Sequence, residues 1–120
     1  MVTTKPSSHK NKGRGFENEI RAAILEKLAL SPNDVTSRAM GDPGVDLLLS
    51  EKARKLFPLA CELKRTERLD LYGSIAQAEA HGEKEGLAPA LIFRRNRSEP
   101  YVVIRLETLL DLLAERGSAI

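Results

Sequence analysis

Asp46, Glu62 and Lys64 are ionisable residues set in short apolar runs, and together their types suit phosphodiester hydrolysis. Asp46 lies in Gly41-Asp42-Pro43-Gly44-Val45-Asp46-Leu47-Leu48-Leu49, and the other two lie in Leu59-Ala60-Cys61-Glu62-Leu63-Lys64. Both runs read as strands, and burying charge on a strand is costly unless the charge is paired or binds a metal. Strand side chains alternate, so Glu62 and Lys64 share one face while Cys61 and Leu63 share the other. An adjacent strand in antiparallel register would bring Asp46 beside Glu62. Two carboxylates with open water positions suit Mg²⁺, which takes hard oxygen ligands and keeps several waters. Mn²⁺ is expected to substitute, and the Leu63 carbonyl is a candidate further ligand. A cation held there would acidify a water and neutralise phosphate charge, and Lys64 would orient that water or offset charge on the phosphoryl group.

These residues need elements to position them. Phe16, Ile20, Ala23, Ile24 and Leu28 recur at helical spacing, which predicts a helix from about Arg14 to the stop at Ser31-Pro32. Glu17 falls inside its apolar stripe and Glu19 on the edge, so Glu17 joins the candidate site through a water or a second metal. Val35-Thr36-Ser37-Arg38 predicts a strand, the turn Gly41-Asp42-Pro43-Gly44 follows, and Val45 to Ser50 completes a hairpin-like pair. A connection carrying Lys52, Arg54 and Lys55 leads to the third strand, Leu59 to Lys64, as a meander packed on the first helix. Asp42 and Gly44 read as turn residues.

Beyond the charged loop Thr66 to Asp70, a helix from Leu71 to about Lys84 shows Leu71, Ile75, Ala78 and Gly82 on one side, small enough to lie close on the sheet. Strands follow at Pro89 to Phe93 and Tyr101 to Arg105, then a helix from Leu106 to Arg116. The leucines of that last helix, Leu106, Leu109, Leu110 and Leu113, suit a core or dimer contact.

A chain of 120 residues predicts one domain, here 14–120, behind a flexible basic arm, 1–13. In the arm, Lys5, Lys10, Lys12 and Arg14 all precede the first acid, Glu17, and such a segment suits phosphate contacts although the formal net charge is only +2. No apolar run is long enough for a bilayer, the N-terminus lacks a signal-peptide core, and the single cysteine, Cys61, has no internal partner. A cytoplasmic protein, or one of the host cytoplasm if phage-encoded, is expected, with no membrane partner and no organic cofactor. Cys pairs for zinc, a P-loop and an HExxH pattern are all missing from the sequence. His9 and His81 read as surface residues. Trp is absent and aromatic residues are few, so a stacking platform for single strands is not expected.

The order Glu17, Asp46, Glu62-Leu63-Lys64 resembles the PD-(D/E)xK nuclease superfamily. Within it, Lys12-Gly13-Arg14-Gly15-Phe16-Glu17-Asn18-Glu19-Ile20, Ser37-Arg38 to Val45-Asp46-Leu47, and Cys61-Glu62-Leu63-Lys64 are similar to the archaeal-type Holliday junction resolvases, also found in phages. The resemblance implies an α/β, restriction-endonuclease-like mixed sheet of about five strands flanked by helices, in the order α-β-β-β-α-β-β-α. It implies Glu17, Asp46, Glu62 and Lys64 as catalytic residues, with Asp46 and Glu62 as Mg²⁺ ligands. It further implies a homodimer that cuts opposed strands of a four-way DNA junction during recombination and repair. Lys10, Lys12, Arg14, Arg38, Arg65 and Arg68 are the candidate DNA contacts. The Gly41-Asp42-Pro43-Gly44 turn is closer to the wider superfamily, and the helix with Gln77, Glu79 and His81 gives no residue-by-residue match to the resolvase pattern, although a Gln in that helix is common in the wider superfamily. Two alternatives stand beside this reading: a restriction- or repair-type endonuclease on duplex DNA, and a non-catalytic DNA-binding module.

Overall fold

Phe16, Ile20 and Ile24 put three buried side chains on one stripe of helix α1 (Lys5–Lys27), and that stripe covers one face of the sheet. The structure, a computed structural model, describes residues 5–39 and 41–118, with side chains from 14 to 117. The expected flexible arm falls partly outside these: 1–4 are not described, and for 5–13 the backbone alone is, as the start of α1. The helix therefore begins at Lys5 where the apolar periodicity predicted about Arg14. Arg21 ties the other end of α1 to the next segment by donating to the carbonyls of Val35 and Pro32.

A short 3-10 turn, Pro32–Asp34, leads into β1 (Val35–Ser37), which pairs antiparallel with β2 (Leu47–Leu49), Val35 opposite Leu49 and Ser37 opposite Leu47. Ser50 then starts a helix where an irregular connection was expected. Its hydroxyl accepts from the Ala53 amide at 3.0 Å, opening α2 (Glu51–Leu56) with Ala53 buried underneath. A serine followed by an acid in the first turn is a helix-start signal, yet six residues are too few for periodicity to reveal.

The expected meander is corrected at the third strand. β1 and β2 form a two-stranded sheet of their own, whereas β3 (Leu59–Arg65) belongs to a three-stranded sheet in the order β3-β4-β5, pairing in parallel with β4 (Ala88–Arg94), with β5 (Tyr101–Val103) antiparallel to β4. A parallel pair needs a crossover, here the helix α3 (Leu71–Glu85). Leu59, Ala60, Cys61 and Glu62 are all buried, as befits a strand covered on both faces. The β1–β2 pair meets β3 through Asp46, whose amide donates to the Cys61 carbonyl at 3.0 Å. The result is a mixed α/β architecture with two sheets, of two and three strands, in the order α-β-β-α-β-α-β-β-α, so the expected fold class holds with the five strands divided between two sheets and one helix added.

On the α1 side, Leu30, Val35, Leu47, Ala53, Cys61 and Ile92 complete the core cluster. On the other side α3 lies close because its buried face is small: Ser74, Ala78 and Gly82. A Cβ on Gly82 would stand 3.0 Å from the Leu87 carbonyl oxygen, so the approach needs glycine. Ala78 and Gly82 were expected there, whereas Leu71 is exposed and Ser74 takes its place against the sheet. The last helix, α4 (Leu106–Ser118), does not join the core, since Leu106, Leu109, Leu110 and Leu113 are all exposed. No helix among the described residues is long and apolar enough to cross a membrane.

Candidate active site

Three backbone and side-chain bonds fix Asp46 where β2 and β3 meet. Its amide donates to Cys61 O, its own carbonyl accepts from the Arg38 amide at 3.2 Å, and its Oδ2 accepts from the Leu63 amide at 2.6 Å. The carboxylate thus sits on the edge of β3 away from β4. Peptide groups of one strand residue point to one edge, so the Leu63 carbonyl faces the Asp46 side as well. Arg38 braces the approach: its Nε donates to Val45 O at 2.7 Å, and its Nη2 lies 3.7 Å from Glu85 of α3. Arg54 holds that same Glu85 at 2.9 Å. Gly44, at φ +123°, passes so close that a Cβ would stand 2.9 Å from the Arg38 guanidinium carbon.

Alternation along β3 sends Cys61 into the core with α1 and Glu62 to the opposite face, under α3. Glu62 is 4% exposed, so it is not part of a solvated surface ion pair with Lys64. Its partner is His81, whose Nδ1 lies 2.8 Å from Glu62 Oε1. This corrects the reading of His81 as a surface residue, for its side chain is only 18% exposed. The available signal was helical: His81 follows Ala78 by three residues and Ser74 by seven, on the face that packs on the sheet. Gln77 is exposed and Glu79 pairs with Arg105, so neither takes that place.

Electrostatics gather the predicted residues around Asp46. Burial pushes its carboxyl up to about 6, opposed by the Leu63 amide, reinforced by the negative charges of Glu62 and Glu17, and opposed again by the Lys64 ammonium. Glu17 itself is raised by burial, against a hydrogen bond from Ser37 and the nearby Arg14 charge. All four predicted residues are therefore brought within electrostatic reach of one point. Cys61, directly behind, has its thiol pushed up to about 12 by burial and by Asp46 and Glu62, which keeps it neutral. Among the described residues no three His, Cys, Asp or Glu side chains converge as a ready metal cluster.

The basic candidates scatter more widely. Arg14 is exposed near Glu17, Arg65 donates to Asn96 Oδ1 at 2.7 Å, and Arg68 is exposed. Arg38 is committed to Val45 and Glu85 as above. The side chains of Lys10, Lys12 and His9 lie outside those described.

Asp46 where β2 meets β3, with Glu62-x-Lys64 on β3 and helices packed on the strands, resembles the arrangement of the PD-(D/E)xK nucleases. A family model described as "Phage putative PDDEXK endonuclease" matches residues 8–120, and the chain belongs to that family. Among solved structures it is similar to "Archaeoglobus fulgidus Hjc, a Holliday junction resolvase from an archaeal hyperthermophile", with a TM-score of 0.50 and 19% identity over 78% of this chain and 72% of that one. At that identity the likeness concerns the fold. No curated protein matches.

Proposed function

We propose that the protein is a Holliday junction resolvase, a Mg²⁺-dependent endonuclease that cuts opposed strands of a four-way DNA junction. The observation that carries the nuclease chemistry is the gathering of Glu17, Glu62 and Lys64 about Asp46 on a braced strand junction. The fold likeness to an archaeal resolvase and the basic N-terminal segment favour the junction as substrate.

Asp46 and Glu62 fit a divalent cation by the chemistry of their donors, hard carboxylate oxygens that leave room for water. The raised Asp46 carboxyl fits too, because negative charge crowded into a half-buried place is what a cation relieves. When bound, Mg²⁺ supplies charge neutralisation at the phosphodiester and a more acidic water; Mn²⁺ can stand in for it. The Leu63 carbonyl adds an oxygen donor, and Glu17 approaches from α1 to hold a water or a second cation. The Lys64 ammonium orients the attacking water or offsets charge on the phosphoryl group. His81 holds Glu62 in one orientation.

A two-fold dimer would set two such sites against the two equivalent strands of a junction. Recognition would rest on phosphate positions and branched shape, through Lys10, Lys12, Arg14, Arg65 and Arg68, with Arg38 bracing the site from behind. The setting is the cytoplasm, that of the host for a phage enzyme, in DNA recombination and repair.

The second reading is the same chemistry on linear duplex, favoured by a family description that names an endonuclease without a junction. Incubation with Mg²⁺ and a four-way junction, a matched duplex or single strands separates the two. Paired symmetric nicks confined to the junction support resolution. Cutting of the linear duplex supports the second reading, and binding without any cutting leaves a DNA-binding module.

A further inference from the structure

Lys64, Phe93 and Tyr101 form a row across the sheet, Lys64 beside Phe93 in the parallel β3–β4 register and Phe93 opposite Tyr101 in the antiparallel β4–β5 register. Side chains paired this way project from one face, the face that carries Glu62. The two rings stack with centroids 6.1 Å apart and planes at 29°. Few as the aromatic residues are, these two meet beside the candidate catalytic lysine.

Next to the row opens a cavity of about 490 Å³ whose lining includes Thr66, Glu67, Leu69, Phe93, Arg95 and Tyr101. Its volume lies within the roughly 300–1,000 Å³ usual for ligand sites. Arg95 lines it, and Arg97 follows two residues on in the same β4–β5 turn; both are exposed. Among the described residues neither makes an ion pair, and nor does Arg68. The one lining acid, Glu67, accepts from the Asn96 amide at 2.6 Å and so serves the turn. Arg65 holds the same turn through Asn96. Two strand spacings put Tyr101 roughly 10 Å from Lys64, a distance that a nucleotide next to the cut can span.

We propose that this cavity is a nucleotide subsite, taking the base of an unstacked nucleotide beside the scissile phosphodiester onto Phe93 and Tyr101 while Arg95 and Arg97 hold the flanking phosphates. The proposal rests on the nuclease reading. Aromatic faces accept any base, so the subsite selects strands whose bases can leave the stack, without reading their sequence. Guanidinium groups match phosphate oxygens in pairs. Such a subsite favours branch points, where stacking is interrupted, over intact duplex.

The test uses the full chain and junctions carrying 2-aminopurine at single positions near the cut. In the uncut complex of Asp46→Asn, emission should change at one flanking position and not at distant ones, and adding Tyr101→Ala should remove that change. With Asp46 intact, Tyr101→Ala should weaken junction affinity on the order of 10-fold, Tyr101→Phe should keep most of it, and Tyr72→Ala, on exposed α3 surface, should leave it unchanged. Arg95→Ala with Arg97→Ala should flatten the salt slope by about 2. The subsite is overturned if 2-aminopurine emission is the same with and without Tyr101, or if the arginine pair leaves the slope unchanged. Absence of cutting by the wild type would instead remove the nuclease reading, since the emission experiment needs binding alone.

Discussion

His81 on α3 and Glu62 on β3 are joined at 2.8 Å between Nδ1 and Oε1, which links the crossover helix to the buried acid of the site. A carboxylate oriented by a hydrogen bond presents its other oxygen in a set direction, and partners of this kind typically carry 10- to 100-fold in metal affinity. His81→Ala should therefore lower Mg²⁺ affinity about 10-fold by calorimetry. It should also cost about 1–3 kcal/mol in urea unfolding, because Glu62 is left buried without its partner. His81→Gln, which keeps a donor, should recover part of both. Equal Mg²⁺ affinity in His81→Ala and wild type would show that the pair serves packing only.

Asp46 predicts a pH dependence. Its folded-state pKa, about 6, lies above the ordinary 3.8, because of burial first and the neighbouring acids after it. The folded protein thus binds this proton more tightly than the unfolded chain, so the stabilisation is full below about pH 4 and is lost as pH rises through 6. Discounted for partial solvent access, the loss is about 2 kcal/mol. Glu17, raised in the same direction, adds to it. In chelator, urea midpoints at pH 4.5 and 7.5 should differ more for wild type than for Asp46→Asn, which has no such proton. The same variant should lose cleavage while keeping junction affinity, and near-normal cutting by it would refute the metal assignment.

Gly44 should resist substitution for two reasons, its positive φ and the Arg38 guanidinium beside it. Gly44→Ala should lose about 1–3 kcal/mol and reduce cleavage by displacing Asp46. Gly41→Ala, with φ +88° but open space around it, should show the backbone strain without the loss of cleavage. Melting curves and initial rates compare the two, and similar rates would mean that the Arg38 brace does not position Asp46.

Deleting residues up to Lys10 removes Lys5 and Lys10 together with the first part of α1. DNA binding should weaken and its salt slope flatten by up to about 2, near one for each phosphate that a removed lysine would have neutralised. A slope identical to that of the full chain would take the segment out of the DNA interface.

Leu109→Glu with Leu113→Glu should convert a dimer to a monomer by light scattering if α4 is the self-association face. Both leucines are exposed in the single chain, so monomer stability should shift by no more than about 0.5 kcal/mol. Paired junction nicks should become independent single nicks. An unchanged mass would move the interface elsewhere.

Local pattern revealed most of the frame, because helix and strand periods are properties of neighbours in sequence. The α1 stripe of Phe16, Ile20 and Ile24 and the alternation of Glu62 with Cys61 both appear in the structure as their spacing predicts. The six residues of α2 left too short a trace. The parallel partnership of β3 and β4 left none, for pairing direction depends on which distant strand covers an edge.

By itself the sequence determined that Asp46, Glu62 and Lys64 are ionisable groups set in apolar runs, and that Glu17 lies within the apolar stripe of a helix, although Asp46 stands just before β2 and not in it. Those statements need only residue type and period. Tertiary structure decided that Glu62 meets His81, that Arg38 braces Val45 and Glu85, and that Phe93 and Tyr101 close a row beginning at Lys64. Each of these depends on register between elements far apart in the chain. Period says which face a side chain takes, and packing alone says what lies across from it.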